Sequence, residues 1–201
     1  FPEEIPTLTP VGITRWKGEE WITQRALDTA NFTVEKDALT LCGNGLDLCD
    51  RKMQGLLLVR QQERAFTAET ALEIPAAGTA GLTCYYDEHS YLKFGIGPEG
   101  LLLEEYAGYE VVSRQTAPLP ASTFHVRLRV TAADGQRHFA IQDRTDWHTL
   151  WSIPEPRYLT SEGLQCGKRF TGAMVGLYVH GASAVRFTDW VAVWPHPEEK
   201  R

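Results

Sequence analysis

The chain has 201 residues, of which 43% are hydrophobic and 10% aromatic, and a formal net charge of −6 at pH 7. This composition supports a sizeable core and argues against a disordered chain, while the acidic balance argues against nucleic acid as a partner. No apolar run reaches the about 18 residues that a transmembrane helix needs, so we also expect no membrane partner.

The two ends of the chain differ in composition from its middle. Pro2, Pro6 and Pro10 stand among acidic and small residues, which predicts an extended lead-in over residues 1–14. A polar tail is predicted at 196–201, and 15–195 then form one domain. The chain begins at Phe1 without a signal-peptide pattern, which favours a mature or excised fragment whose compartment stays open.

Between these ends, apolar and polar residues alternate with a period of two, and turn residues follow at short intervals. This pattern predicts an all-β sandwich or barrel. Strands are predicted at 38–42, 55–61, 64–72, 80–86, 91–96, 101–106, 110–114, 123–131, 137–142, 171–180 and 184–194. Asp134-Gly135 is the clearest hairpin turn, and the best short helix is predicted at 19–27.

Alternation also sorts side chains by face. In the pair 80–86 and 91–96, Tyr85 and Tyr91 fall opposite the apolar side, which makes them candidates for sugar contact. Trp147 and Trp151 stand in a polar segment, which favours a stacking platform for sugar or a contact with another domain. The alternative is that one or both tryptophans plug the end of the sandwich.

Glycosidase chemistry needs two carboxylates about 5 to 9.5 Å apart. Glu69 and Glu73 share a face of one predicted strand. Four residues at about 3.3 Å each place their backbones about 13 Å apart, too far for either mechanism. This spacing opposes an autonomous glycosidase.

Four stretches of the chain resemble one known module. They are Arg60-Gln61-Gln62, Phe66-Thr67-Ala68-Glu69-Thr70, Ala80-Gly81-Leu82-Thr83-Cys84-Tyr85-Tyr86-Asp87, and Phe170-Thr171-Gly172-Ala173-Met174-Val175-Gly176 leading to Phe187-Thr188-Asp189-Trp190. The module is the C-terminal concanavalin A-like β-sandwich, or jelly roll, of family 43 glycoside hydrolases, the β-xylosidase and arabinofuranosidase group. The similarity covers roughly residues 16–194 and implies an antiparallel two-sheet fold.

The resemblance implies a non-catalytic accessory domain, because chemistry in that family belongs to a separate β-propeller. Xylan or xylo-oligosaccharide and the family 43 propeller are the implied partners, through sugar binding, bracing of the propeller, or both. Arg60 and Gln61 are further candidates for sugar contact, although a buried arginine with carboxylate or carbonyl partners explains them equally well. Asp189 is a candidate ligand of a structural calcium ion, but the family's second aspartate has no counterpart here.

Two other functions stay open at this point. The first is a free-standing lectin-like or protein-interaction sandwich, and the second is the autonomous glycosidase that the carboxylate spacing opposes. Cys42 and Cys49 flank Gly43-Asn44-Gly45 and are a candidate disulfide in an oxidising compartment.

Overall fold

The computed structural model describes residues 14–23, 31–119, 125–164, 166 and 172–195. Within these ranges the regular structure consists of β-strands, a 3-10 turn at Arg157–Leu159 and a 3-10 residue at Asn31. The strands are β1 (Thr14–Trp16), β2 (Glu19–Trp21), β3 (Phe32–Val34), β4 (Ala38–Cys42), β5 (Leu56–Arg60), β6 (Phe66–Glu73), β7 (Thr79–Asp87), β8 (Ser90–Gly97), β9 (Gly100–Ala107), β10 (Glu110–Ala117), β11 (His125–Ala133), β12 (Gln136–Asp143), β13 (Asp146–Pro154), β14 (Met174–His180) and β15 (Ala184–Val193).

Two antiparallel sheets form the sandwich, which confirms the predicted fold class. The six-stranded sheet has the order β10-β9-β8-β7-β14-β5, and the seven-stranded sheet has the order β13-β12-β11-β6-β15-β4-β3. Hairpins such as β11–β12 join neighbours in sequence, and that turn uses Asp134 and Gly135 at φ +51° and +72°, as predicted. β14 and β15 are interior strands of different sheets: β14 lies between β7 and β5, and β15 lies between β6 and β4.

The main core lies between the two sheets and follows the predicted alternation. Leu82, Phe94, Leu128 and Phe139 are all at most 1% exposed and belong to one continuous cluster. Phe94 and Phe139 meet edge to face with ring centroids 5.3 Å apart, which ties β8 of one sheet to β12 of the other.

The outer side of the six-stranded sheet is buried as well, under residues 43–55, which connect β4 to β5 and are called here the covering segment. Leu48 and Met53 from this segment form a second apolar cluster with Leu58 and Tyr178 from the sheet. Hydrogen bonds from Gly43 N to Ser183 O (2.9 Å) and from Val179 N to Gly55 O (2.8 Å) fix its two ends. Strands β5, β7, β8 and β14 therefore lie between two apolar layers.

An N-terminal hairpin, β1–β2, packs beside the edge strand β5. Trp21 is fully buried, donates its indole N–H to the Trp16 carbonyl at 3.0 Å and meets Trp190 with centroids 4.7 Å apart. The pairing of Ile22 with Leu58 connects the hairpin to β5. The hairpin is therefore packed against the main core through Trp21 and paired with β5 through Ile22.

Several details differ from the expectations. The predicted helix at 19–27 is wrong in its described part, because Lys17 and Gly18 at φ +51° and +81° form a hairpin turn that makes 19–21 a strand. Cys42 and Cys49 are free thiols rather than a disulfide in this structure. The predicted lead-in and tail lie outside the described residues, except for Thr14, which begins β1.

Candidate functional site

The predicted sugar-contact residues lie on separate surfaces and do not form one site. Trp147 lies on the outer face of the seven-stranded sheet, where its neighbour in the sheet is Gln142. Trp151 points to the opposite side, toward the main core, because a bulge in β13 shifts the register between these residues. The two tryptophans therefore cannot act as one platform, and Trp151 packs against the core from the edge strand β13, edge to face with Phe94.

Trp147 is half-buried and stacks on a charged group. The Arg129 guanidinium carbon lies 3.7 Å from the centroid of the Trp147 ring, and that of Arg127 lies 5.8 Å away. Both arginines face the Glu69 carboxylate, at 2.6 Å and 3.5 Å. Glu69 is therefore held in a surface ion-pair network rather than poised beside Glu73 as a catalytic carboxylate.

Tyr85 and Tyr91 lie on the sheet face that the alternation indicated, but this face is covered. Each residue is 1% exposed, and their rings stack at 6.1 Å with an interplanar angle of 16°. Tyr91 also stacks on the half-buried Tyr106 at 4.7 Å. Burial raises the pKa of the Tyr91 phenol, and the neighbouring Asp47 carboxylate raises it further. The planes are parallel, as a sugar platform requires, but the covering segment packs against them.

The arginine-glutamine motif lies at the end of β5, with Arg60 and Gln62 on one side of the strand and Gln61 on the other. Arg60 and Gln62 line an open cavity of about 700 Å³ beside the β1–β2 hairpin. Gln61 lines a different cavity of about 730 Å³ at the end of the sandwich, together with Tyr86. The motif thus lies between two cavities at one end of the domain, and we call this end the linker end.

A buried ion pair forms part of the wall of the larger cavity. Arg137 is 1% exposed, and its Nη2 and Nε donate to the two carboxylate oxygens of Glu155 at 2.6 Å and 3.0 Å. The guanidinium also lies over the Phe66 ring at 5.4 Å. Burial raises the pKa of the adjacent Cys84 thiol, while the Arg137 charge opposes that shift. The alternation pattern did not predict this ion pair, because the charged Arg137 occupies a buried position where the pattern predicts an apolar residue.

Asp189, the predicted calcium ligand, is not part of a metal-binding group in the described part of the chain. Asp189 is exposed and adopts φ +54° at a bulge in β15. Among the described residues no group of three or more His, Cys, Asp or Glu side chains is placed to hold a metal ion. The bulge accounts for this aspartate, since Asp tolerates the left-handed conformation better than most residues do.

Comparison with known proteins identifies the module. Residues 17–190 match the family described as the beta xylosidase C-terminal concanavalin A-like domain. The chain belongs to this family. The resemblance seen in the sequence is therefore confirmed, and the chain corresponds to the accessory sandwich of family 43 enzymes rather than to their catalytic propeller.

Individual relatives of this C-terminal domain agree with that assignment. A β-xylosidase of Bacillus subtilis (strain 168) is 27% identical over an alignment of 169 residues, and the match covers 76% of this chain and 32% of the relative. In the solved xylan β-1,4-xylosidase of Bacillus halodurans C-125 the match has a TM-score of 0.73 at 21% identity and covers 86% of this chain and 36% of that one. The chain thus spans about a third of these relatives.

The same fold also occurs as most of a solved chain. A functionally unknown protein from Saccharomyces cerevisiae matches with a TM-score of 0.58 at 17% identity, over 88% of this chain and 96% of that one. The described residues of the present C-terminal domain include no helix long and apolar enough to cross a bilayer.

Proposed function

We propose that this domain braces the catalytic propeller of a family 43 glycosidase by docking through the linker end. The observation that carries the proposal is the pair of open cavities, of about 730 and 700 Å³, on either side of the end of β5. A surface with two concavities gives a partner more shape to engage than the flat outer face of a sheet. The β-xylosidase relative, about three times longer than the matched region, supports a partner in the same chain.

The point of chain entry favours the same end. Arg15 of β1 lines the smaller cavity together with Arg60 and Gln62, so residues 1–13 join the domain at this surface. A segment of that length spans at most about 45 Å, whatever its conformation. In a longer enzyme, a partner domain close to these residues would be held at a high effective concentration near the linker end.

The packing around the predicted tyrosines supports bracing over sugar binding at that face. Tyr85 and Tyr91 are buried beneath the covering segment, whose Leu48 is fully buried. In this proposal the two tyrosines stabilise the packed face, and Arg60 and Gln61 belong to the docking surface.

The proposal implies a longer enzyme, so the test expresses its propeller and this domain as separate chains and measures their association by titration calorimetry. Ala65, exposed at the rim of the larger cavity, is replaced with tryptophan to block docking. The matched control is Ala182→Trp, exposed just after β14 at the other end of the sandwich. We expect Ala65→Trp to weaken association and Ala182→Trp to leave it unchanged. No association, or equal losses in both variants, would refute the docking surface.

A second candidate function is binding of the xylan polymer, and the partly exposed position of Trp147 on a sheet face favours it. Its indole is partly exposed on an open sheet face and is held by Arg129, which leaves a rigid aromatic surface of the kind that stacks on sugar rings. Binding of the chain to insoluble xylan that Trp147→Ala loses, while the variant keeps its melting temperature, would establish this function. Retention of binding in Trp147→Ala would exclude Trp147 as its site.

A further inference from the structure

A third cavity, of about 450 Å³, opens at the end of the sandwich opposite to the linker end. Its walls come from the start of β7 at Thr79, the end of β14 at His180, the β8–β9 turn and the edge strand β10 at Thr116. Gly97 lines it without a side chain. The cavity lies on the outer side of the six-stranded sheet, next to the apolar cluster beneath the covering segment.

Four charged side chains form one connected network in the wall of this cavity. Lys93 of β8 contacts the Glu104 carboxylate at 2.6 Å and the Asp47 carboxylate at 2.7 Å. Arg114 of β10 donates from Nε to the second oxygen of Glu104 at 2.7 Å. His180 Nδ1 lies 3.6 Å from Asp47. Cross-strand register brings Lys93, Glu104 and Arg114 together, since Lys93 pairs with Glu104 and Glu104 with Arg114.

The pair of Lys93 and Glu104 in this network is so deeply buried that its contribution to the stability of the fold does not explain it. The side chains of Lys93 and Glu104 are each 2% exposed. Replacing such a buried ion pair with apolar residues is often neutral or stabilising, because desolvation offsets the attraction between the charges. The neighbouring part of the same face is packed with leucine, methionine and tyrosine instead. The charges are therefore concentrated where the cavity is.

We propose that this cavity binds a short neutral sugar. Carboxylates and threonine hydroxyls accept hydrogen bonds there, while Arg114 and His180 supply donors, and neighbouring hydroxyls of a sugar ring match both kinds of group. Leu102 and Pro98 add an apolar wall for the C–H face of the ring. The volume lies within the range of about 300–1,000 Å³ that is typical of small-molecule sites.

Charge selects a neutral ligand over an acidic one. The two cations Lys93 and Arg114 balance the two anions Asp47 and Glu104, and Glu99 at the rim adds a further negative charge. An anionic sugar meets a cavity that is neutral to acidic, so a uronate is disfavoured relative to the uncharged sugar of the same size.

This site is independent of the docking proposal. Ala173 at the linker end and His180 at the cavity stand seven residues apart on and next to β14, which corresponds to about 23 Å. Sugar bound in the cavity therefore leaves the linker end free, and failure of one proposal says nothing against the other.

The test is NMR and calorimetric titration of the chain with xylobiose, xylotriose and glucuronic acid. Thr116→Trp fills the cavity, and Arg114→Ala removes a guanidinium whose side chain is 60% exposed, so that the fold is retained. The matched control is Arg186→Ala, an exposed arginine paired with Glu35 on the other sheet. Melting temperatures verify folding of each variant.

We expect saturable binding of the neutral sugars, with shifts of the amide signals of Thr79 and Thr116. Arg114→Ala should weaken it about tenfold or more, Thr116→Trp should abolish it, and Arg186→Ala should leave it unchanged. The assignment is overturned by the absence of binding at millimolar xylotriose, by binding that Thr116→Trp retains, or by tighter binding of glucuronic acid than of xylobiose.

Discussion

Replacing Glu155 with glutamine is expected to destabilise the sandwich by about 2–3 kcal/mol, because it leaves the buried Arg137 without its counter-charge. Arg137 is 1% exposed and donates two hydrogen bonds to the two oxygens of Glu155. Glutamine keeps the shape of the side chain and one acceptor oxygen. The variant therefore removes the negative charge and replaces one of the two acceptor oxygens with an amide NH2 group, which cannot accept from Arg137.

The magnitude follows from the exposure of the two partners. Breaking a fully buried pair by removing one partner costs about 3–5 kcal/mol. The Glu155 side chain is 36% exposed, so solvent screens part of the interaction, and the retained acceptor offsets another part. The remaining 2–3 kcal/mol corresponds to a fall in melting temperature of about 5–10 °C for a domain of this size.

Urea unfolding measures the effect, and a double-mutant cycle with Arg137→Met assigns it. If the cost arises from an uncompensated buried charge, Glu155→Gln should be far less harmful when residue 137 is methionine. Glu35→Gln is the matched control, because Glu35 is 62% exposed and its arginine partner lies 3.7 Å away, so a change below about 0.5 kcal/mol is expected. A Glu155→Gln cost no larger than that of the control, or additive costs in the cycle, would refute the reasoning.

Three further outcomes are expected. Burial raises the folded-state pKa of Tyr91, so the free energy of unfolding should fall as pH rises above about 10, where unfolded tyrosines ionise. Urea midpoints measured from pH 8 to 11 should fall less steeply in Tyr91→Phe than in the unchanged protein, and equal pH dependence in both would contradict this. Trp151→Ala should lower the free energy of unfolding by about 2–4 kcal/mol and Trp147→Ala by less than about 1 kcal/mol, since of these two only Trp151 packs against the core. A larger loss for Trp147→Ala than for Trp151→Ala would show that the register of β13 around its bulge is wrong. Leu48→Ala should cost about 2–5 kcal/mol in the same assay, and a loss under about 0.5 kcal/mol would show that the covering segment is loosely held.

The strands and the main core could be predicted from alternation, because most strands have one side against the core. Val126, Leu128 and Val130 are buried and Arg127 and Arg129 are not, as the period of two indicates. β13 escaped prediction for a physical reason. Its pattern of exposed and half-buried residues is broken by the bulge near Trp151, and it is an edge strand with little burial of its own.

The candidate sites were less predictable, since they depend on features that a single strand does not contain. Alternation assigns Tyr91 and Leu92 to opposite faces but does not show whether the second face is covered. The continuous apolar runs of β5 and β14 are the sequence features that indicate burial on both faces. The network of Lys93 and Glu104 depends on cross-strand register, and Asp47 reaches it from the covering segment. None of these partners is a neighbour in sequence.

The interior positions of β14 and β15 have a consequence for biosynthesis. Each sheet is incomplete until residues 174–193 have been translated, because β14 separates β7 from β5 and β15 separates β6 from β4. Pairings between strands so distant in sequence form slowly, and domains nearer the N-terminus generally fold first. In an enzyme whose propeller precedes this domain, the propeller would therefore be finished while the sandwich still exposes two half-sheets. A premature stop before Met174 would leave both halves with unpaired edges, the kind of surface that aggregates.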